Sequence, residues 1–440
     1  MAKAVEYLLG LFGIILRFGL MQTNLPEWLQ SRNEVVTPLT SWERVEEGFA
    51  LQGQFISPYS GDLFHETPLA LRALKITSYC PWGVKGFFLL IDIITMVFLC
   101  KVAVKFREHL LHDQNLNKET YSLNAASILL TPKQLSWLPS IVLAVHALNP
   151  FSITTTLALS TGAITNLTIL MAFYYLVAGN RLLCTLFISL ATYQAFYPVV
   201  FLVPAGLLFY KNKQSQSSSK SFVSREAVIS YFETCILSFV FFSLLIGSSF
   251  LAEGSWEFLQ STYGFILSVP DLTPNTGVFW YFFTEMFDHF RTFFVCVFQL
   301  NAVVYTVPLA VKFAEKPVFL MYILLVLTAI FKSYPSYADA ALYFSLLPLW
   351  KHTFSYLRNT LVVAGMFITC MVLAPILYHL WIFAGSANAN FYFAITLTYS
   401  TAQIFLVTDL LFAYLRREYD LHHGTEHKNA DGSKAQIVLE

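Results

Sequence analysis

The sequence predicts an all-α, polytopic membrane protein of about ten to twelve transmembrane helices, since each crossing takes roughly 20 apolar residues. Three observations carry this. The 440 residues are 56% hydrophobic and only 12% charged, where a soluble domain carries about 25% charged residues. Apolar runs recur along nearly the whole length. They lack the two-residue alternation of barrel strands, and in lipid only helices or closed barrels satisfy the backbone.

Segment 4–22 reads as a retained first helix, because it continues to Met21 with no small-x-small cleavage site. The other expected spans lie near 82–106, 135–149, 164–179, 182–209, 227–250, 278–311, 317–331, 339–350, 359–383 and 391–415. Residues 1–419 then form a single transmembrane domain. Its extramembrane parts are 23–66, a luminal loop with an interfacial helix, and 210–225, a cytoplasmic loop with a flexible Ser-rich link at 214–221. Residues 420–440 read as a poorly ordered polar cytoplasmic tail.

Charge sets the orientation. Segment 23–66 carries Glu27, Glu34, Glu43, Glu46, Glu47, Asp62 and Glu66 against Arg32 and Arg44, while 210–225 carries Lys211, Lys213, Lys220 and Arg225 with no acid. Basic loops stay in the cytoplasm, and Arg416-Arg417 puts the tail there too. Counting back from the tail places Gly385–Asn390 and 251–277 on the luminal side, and Lys312, Lys316, Lys351 and Arg358 on the cytoplasmic side. Short runs near 68–80 and 150–163 leave the parity of the first half open. Zero formal net charge gives no case for nucleic-acid binding. The six cysteines, Cys80, Cys100, Cys184, Cys235, Cys296 and Cys370, are scattered without a CxxC pair and read as small core residues. The sequon Asn166-Leu167-Thr168 lies at the edge of an apolar run, so no glycan is expected there.

Three features could carry chemistry, and the orientation puts all of them on one side. The first is the loop with Ser41–Gly48, Ser57–Gly61 and Phe64–Leu69. Its glutamates and the His65-Glu66 pair could form an acid/base or metal site. The alternative is an amphipathic interfacial helix anchored by Trp42 and Tyr59, favoured because no metal-ligand spacing such as HExxH is present.

The second is the turn Val269–Asn275 followed by Phe279–Phe283 and then Glu285, Asp288, His289 and Arg291. Helical spacing puts these four ionisable residues on one face. Such groups in the membrane zone face a cavity, a partner or a functional path. The bland alternative is an Asp288–Arg291 salt bridge. Arginine suits a phosphorylated head group.

The third is Gly385-Ser386-Ala387-Asn388-Ala389-Asn390, which interrupts an apolar stretch from Leu361 to Tyr414 whose only acid or base residues are His379 and Asp409. Asn390 is expected as N-cap of the following helix and Gly385 as the stop of the preceding one. Ser386 and Asn388 are surplus to that duty, and an amide that both donates and accepts suits a polar head group.

These segments resemble the PIG-U family, membrane subunits of the glycosylphosphatidylinositol (GPI) transamidase of the endoplasmic reticulum. The likeness is carried by Phe265–Asn275, Phe279–Phe287, Ile330–Pro335, Trp381–Phe391 and Leu415–Tyr419, with Ser57–Gly61 and Phe64–Leu69. A fainter likeness reaches the GT-C membrane glycosyltransferases, whose first luminal loop bears an Asp-x-Asp pair. Here that place reads Glu34-Val35-Val36. The resemblance therefore implies a GT-C-like scaffold without glycosyltransferase chemistry: a non-catalytic subunit that presents GPI to a catalytic cysteine subunit. The runner-up is an active GT-C enzyme using a dolichol-linked sugar donor through Glu43, Glu46, Glu47, Asp62 or Glu66.

On the resemblance, Asn388, Asn390 and Ser386 would meet the GPI head, with Glu285, Asp288, His289 and Arg291 beside it. Phe279, Trp280, Tyr281, Phe391 and Tyr392 could line the acyl or inositol zone. Lys211, Lys213, Lys220 and Lys312 would attract anionic lipid head groups at the cytoplasmic side, at about 1 kcal/mol per basic residue. The implied partners are the cysteine-protease-like PIG-K, PIG-T, PIG-S, the GPI anchor attachment protein, GPI itself and membrane phospholipids. No catalytic residue, cofactor or metal is expected in this chain.

Overall fold

The computed structural model describes residues 2–79, 83–214 and 225–425. Expectations placed on Lys220, Cys80, the Ser-rich link beyond residue 214 and the tail beyond residue 425 lie outside them. The described residues are helical throughout their ordered elements and contain no strand. Five helices are long and apolar enough to cross a membrane: Gly83–Leu116, Val228–Glu253, Asp288–Lys312, Thr360–Ile382 and Ala389–His423. Leu138–Leu148 and Pro150–Leu157, bent by 54°, make a sixth if read as one span. The bend has a local cause. Pro150 has no N–H to continue the ladder, and the Asn149 side chain accepts from the Phe151 N–H at 3.0 Å, starting a new helix.

Several expected spans are broken. The run 182–209 divides at Phe196, which takes φ +61° before Pro198, giving helices Arg181–Ala195 and Leu202–Gln214 around a 3-10 segment. The run 339–350 stops as an α-helix at Leu346, where Pro348 begins the 3-10 segment Leu347–Tyr356. The polar tail was expected to begin at residue 420, yet the last helix continues to His423. The Leu421 carbonyl accepts from the Ser122 N–H at 2.9 Å, which ties that helix end to the segment before Leu138.

At the centre lies helix Pro317–Phe331, buried at every residue from Pro317 to Ile330. A helix apolar all round belongs inside a bundle, and its length of about 22 Å falls short of the ~30 Å hydrocarbon core. Phe319 stacks on Tyr414 with centroids 3.9 Å apart, and Tyr322 on Trp350 at 4.2 Å. Between helices in lipid it is such close packing, rather than water exclusion, that holds the bundle.

Two polar ties fix the frame. Arg17, fully buried, pairs with Asp92 at 2.9 Å and donates to the His146 and Ala147 carbonyls and to Ser152. His146 meets the other Asp92 oxygen at 2.9 Å and Ser345 at 2.9 Å. Asp409 explains its place in an apolar stretch by accepting the backbone N–H groups of Arg358 and Asn359, each at 2.9 Å. These are donors that the start of helix Thr360–Ile382 would otherwise leave unpaired. That helix and Ala389–His423 pack as a hairpin whose turn is 385–390.

Candidate functional site

The turn is built by closing one helix and capping the next. Gly385 takes φ +62°, a left-handed conformation that glycine adopts without penalty. The chain then folds back, so that the Ser386 and Ala387 N–H groups both reach the Leu380 carbonyl, at 3.0 and 3.2 Å. Asn388 is extended, and its side-chain oxygen accepts from the Asn390 N–H at 3.0 Å. The cap is therefore Asn388, two residues before the expected Asn390. The duties are exchanged: Asn388 has the structural role and Asn390 is the surplus amide. Ser386, Asn388 and Asn390 are all exposed, and among the described residues the Ser386 hydroxyl makes only a 3.5 Å contact with the Leu380 carbonyl.

Asn390 is held from the side. Tyr281 donates its hydroxyl hydrogen to the Asn390 side-chain oxygen, and the Tyr281 ring stacks on Phe393 at 4.3 Å. Beneath the turn lies an aromatic floor. Trp280 is buried and stacks on Trp381 at 6.2 Å, with Tyr392 at 5.9 Å. The Trp280 ring N–H is buried with no partner among the described residues. The Tyr392 hydroxyl donates to Glu34 at 3.1 Å, which fastens this floor to the loop that follows the first helix.

Glu34 is fully engaged. The Arg32 fork donates to both its oxygens at 3.2 and 3.0 Å, and Arg32 lies 4.8 Å over the Tyr378 ring. At 3% exposure, this carboxylate already accepts three hydrogen bonds, two from Arg32 and one from Tyr392. Sequence reading marked Glu34 only as an acid without an Asp-x-Asp pair. Its pairing with Arg32, two residues away, was the available signal.

Glu285, Asp288, His289 and Arg291 do not share a helical face. Helix Phe279–Glu285 ends at Glu285, Met286 and Phe287 are extended, Asp288–Phe290 is a 3-10 turn, and Arg291 opens the next helix. Arg291 donates to the Val269 carbonyl at 2.6 Å and lies 5.6 Å from the Phe283 ring centre. Among the described residues it makes no ion pair with Asp288. Glu285, Asp288 and His289 are exposed. Of the four, Glu285 alone shares the short helix with Tyr281, one turn away.

Two aromatic residues of the first loop are packed inside the protein. Trp42 and Tyr59, expected as interfacial anchors, are 3% and 5% exposed. The physical reason is that each has an internal partner for its polar tip. The Trp42 ring N–H donates to Glu46 at 2.7 Å and the Tyr59 hydroxyl to the Glu66 carbonyl at 3.0 Å. Arg44 pairs with Asp271 at 3.0 Å, joining the loop to the turn Val269–Asn275. Burial pushes the Asp271 carboxyl up, but hydrogen bonds from Thr273 and Arg44 outweigh it and hold the group below the usual carboxylate range.

His65 and Glu66 line a polar cavity of about 60 Å³ with Thr161, Asn166, Lys332 and Asp339. Burial lowers the His65 imidazole to about 4. Burial also raises Glu66 to about 7 against the opposing hydrogen bond from Thr161.

At the opposite, basic end, Lys211 pairs with Asp113 at 2.9 Å and Lys213 with Glu233 at 3.2 Å. Lys312 is exposed.

Comparison with known proteins adds a family. The model of the family described as GPI transamidase subunit PIG-U matches residues 11–399. The human GPI-anchor transamidase component PIGU is 42% identical over 436 residues, covering 97% of each chain. The GPI transamidase component GAB1 of Saccharomyces cerevisiae is 32% identical over 423 residues, covering 95% of this chain and 96% of its own. Its homolog in Schizosaccharomyces pombe is 31% identical over 430 residues, covering 96% of both.

Proposed function

This chain belongs to the PIG-U family of GPI transamidase subunits, and from that premise we propose that it holds the GPI lipid for a separate catalytic subunit. It is a multi-helix membrane protein and a component of the transamidase. The observation that carries the lipid-holding role is the exposed turn 385–390 set over the aromatic floor of Trp280, Trp381 and Tyr392. A GPI head bears amines, hydroxyls and phosphates, which need both donors and acceptors. Its lipid tail needs an apolar wall. Asn390 and Ser386 supply the first, with Asn388 fixing the backbone between them.

A non-catalytic role is supported by Glu34, the carboxylate nearest the place of the glycosyltransferase pair, which is spent on Arg32 and Tyr392. The match to GPI transamidase subunits weighs against the runner-up, an active GT-C transferase acting through Glu43, Glu46, Glu47, Asp62 or Glu66. The reading carries with it a GT-C-like scaffold of about ten to twelve crossings, some short or broken as at Phe196 and Pro348. It also carries residence in the endoplasmic reticulum membrane, a cytoplasmic tail, and assembly with PIG-K, PIG-T, PIG-S and the GPI anchor attachment protein.

The test uses cells lacking the endogenous subunit. Asn390→Ala with Ser386→Ala should lower the surface level of a GPI-anchored reporter several-fold, while the catalytic subunit co-purifies as with wild type. Normal reporter display with the double variant defeats the site assignment. Mannosyl transfer from a dolichol donor by the purified protein would restore the runner-up.

A further inference from the structure

A second cavity lies at the basic end of the bundle, far along helix Ala389–His423 from the turn 385–390. It measures about 380 Å³, within the size range of small-ligand sites. Its lining is polar at Arg417, Lys351 and Tyr356 and apolar at Leu135, Leu138 and Ile141.

The polar lining has cationic capacity to spare. Arg417 is 6% exposed. Among the described residues it donates one hydrogen bond, to the Ile128 carbonyl at 3.2 Å, and meets Glu418 only at 4.0 Å. A guanidinium offers five N–H donors. Glu418 is shared with Lys316 at 3.4 Å, and Asp420 is paired with Arg416 at 3.3 Å, so the neighbouring carboxylates are already claimed. Lys351 is exposed and has no ion-pair partner among the described residues. His352 also lines the cavity; burial first, and then Arg417, hold its imidazole down to about 3 against a backbone hydrogen bond at Leu349.

The apolar lining continues through Ile128, Leu129 and Leu130, and Leu123, on the same 3-10 segment as Ile128, is 94% exposed. A buried arginine with free donors, a lysine at the mouth and an aliphatic wall are what a phosphate ester on a hydrocarbon chain requires. Arginine and phosphate meet in a planar, bidentate fashion, and the chain needs only apolar contact.

We propose that this cavity binds a membrane lipid through its phosphate, with the phosphate on Arg417 and Lys351 and the first carbons of the chain along Leu135, Leu138 and Ile141. The site is separate from the turn 385–390 and uses none of its residues. It would fasten the basic end of the subunit to an anionic leaflet.

The test uses the full chain purified in its complex in detergent, with fluorescent phosphatidic acid as probe and diacylglycerol of the same chains as control. Phosphatidic acid should bind about tenfold tighter or more, the scale of one charge-assisted pair. Lys351→Glu at the mouth and Ile141→Trp in the wall should each weaken it severalfold. Arg417→Gln should do the same. Since Arg417 also holds the Ile128 carbonyl and its variant can misfold, the exposed Lys351 carries the test independently. Equal binding of the two lipids, or phosphatidic acid binding unchanged in both Lys351→Glu and Ile141→Trp, overturns the proposal. Displacement of the probe by millimolar inorganic phosphate alone would reassign the cavity to a soluble phosphate ligand and equally overturn it.

Discussion

Tyr281 and Asn390, 109 positions apart in the chain, are joined by a hydrogen bond from the phenol to the side-chain amide. This bond is the direct link between the short aromatic helix Phe279–Glu285 and the polar turn. It orients the one amide in the turn that the backbone does not use. Tyr281→Phe keeps the ring stacked on Phe393 and removes only the hydroxyl. If orientation matters, Tyr281→Phe should lower GPI attachment by less than Asn390→Ala does, and should add nothing in the Asn390→Ala background. A reporter assay on the two single variants and the double variant reads this. Fully additive losses would show that the bond has no part in presenting the amide.

Asn388 should separate from Asn390 by what its loss damages. As the cap of helix Ala389–His423 it satisfies a backbone donor, and replacing such a cap by alanine costs about 1 kcal/mol. Asn388→Ala should therefore lower the thermal stability of the purified complex, and Asn388→Asp or Asn388→Ser should restore most of it. Asn390→Ala, which loses only the exposed bond from Tyr281, should lower stability by less than Asn388→Ala does. If Asn388→Asp restores stability but not attachment, Asn388 has a ligand role beyond the cap.

The exchange of these two asparagines shows how far the sequence reaches. The pattern Asn-Ala-Asn marks a helix start without saying which asparagine begins it, because both precede an apolar run and both can cap. The helical class was legible from the apolar runs, and the core helix Pro317–Phe331 falls where its run predicts. Trp42 and Tyr59 misled because an aromatic with a polar tip looks the same at an interface as in a core. Only their contacts with Glu46 and Glu66 decide. The face expected for Glu285 to Arg291 failed because nothing in Met286-Phe287 announces a break: neither residue is glycine or proline. The Arg17–Asp92–His146 network was missed although each member is an ionisable residue inside or at the edge of an apolar run, the signal that marks costly and specific contacts in a membrane.

His65 and Glu66 should oppose each other in acid. The folded state holds Glu66 up near 7, above its unfolded value, so Glu66 is stabilising to keep protonated and costs stability as pH rises from about 4.5 to 7. The folded state holds His65 down near 4, so stability falls as pH drops from about 6.5 to 4. In the overlap the two slopes have opposite sign and nearly cancel. Glu66→Gln removes one of them. Thermal unfolding of the complex should then show the variant gaining on wild type as pH rises from about 5 to 7, by roughly 2 kcal/mol at most. Parallel pH profiles for the two proteins would mean that Glu66 ionises normally.

The Arg17–Asp92 pair should behave as a structural clamp whose halves cannot be removed singly. Arg17 sits on the first helix, Asp92 on Gly83–Leu116, and His146 and Ser152 on the two arms of the bent pair. One cluster thus fixes four elements. Removing one partner of a buried ion pair costs about 3–5 kcal/mol, because the other charge is left unpaired, whereas replacing both by apolar groups can be nearly neutral. Asp92→Ala and Arg17→Ala should each sharply reduce the steady-state level and detergent stability of the subunit. Arg17→Met with Asp92→Leu should recover much of both, although Arg17 also donates to the His146 and Ala147 carbonyls and to Ser152, bonds that methionine does not replace. The decisive measurement is the attachment activity per assembled complex in the double variant. If it equals wild type, the cluster is a clamp and nothing more. If the double variant is stable and assembled but inactive, the charges themselves serve the reaction, and the clamp account fails.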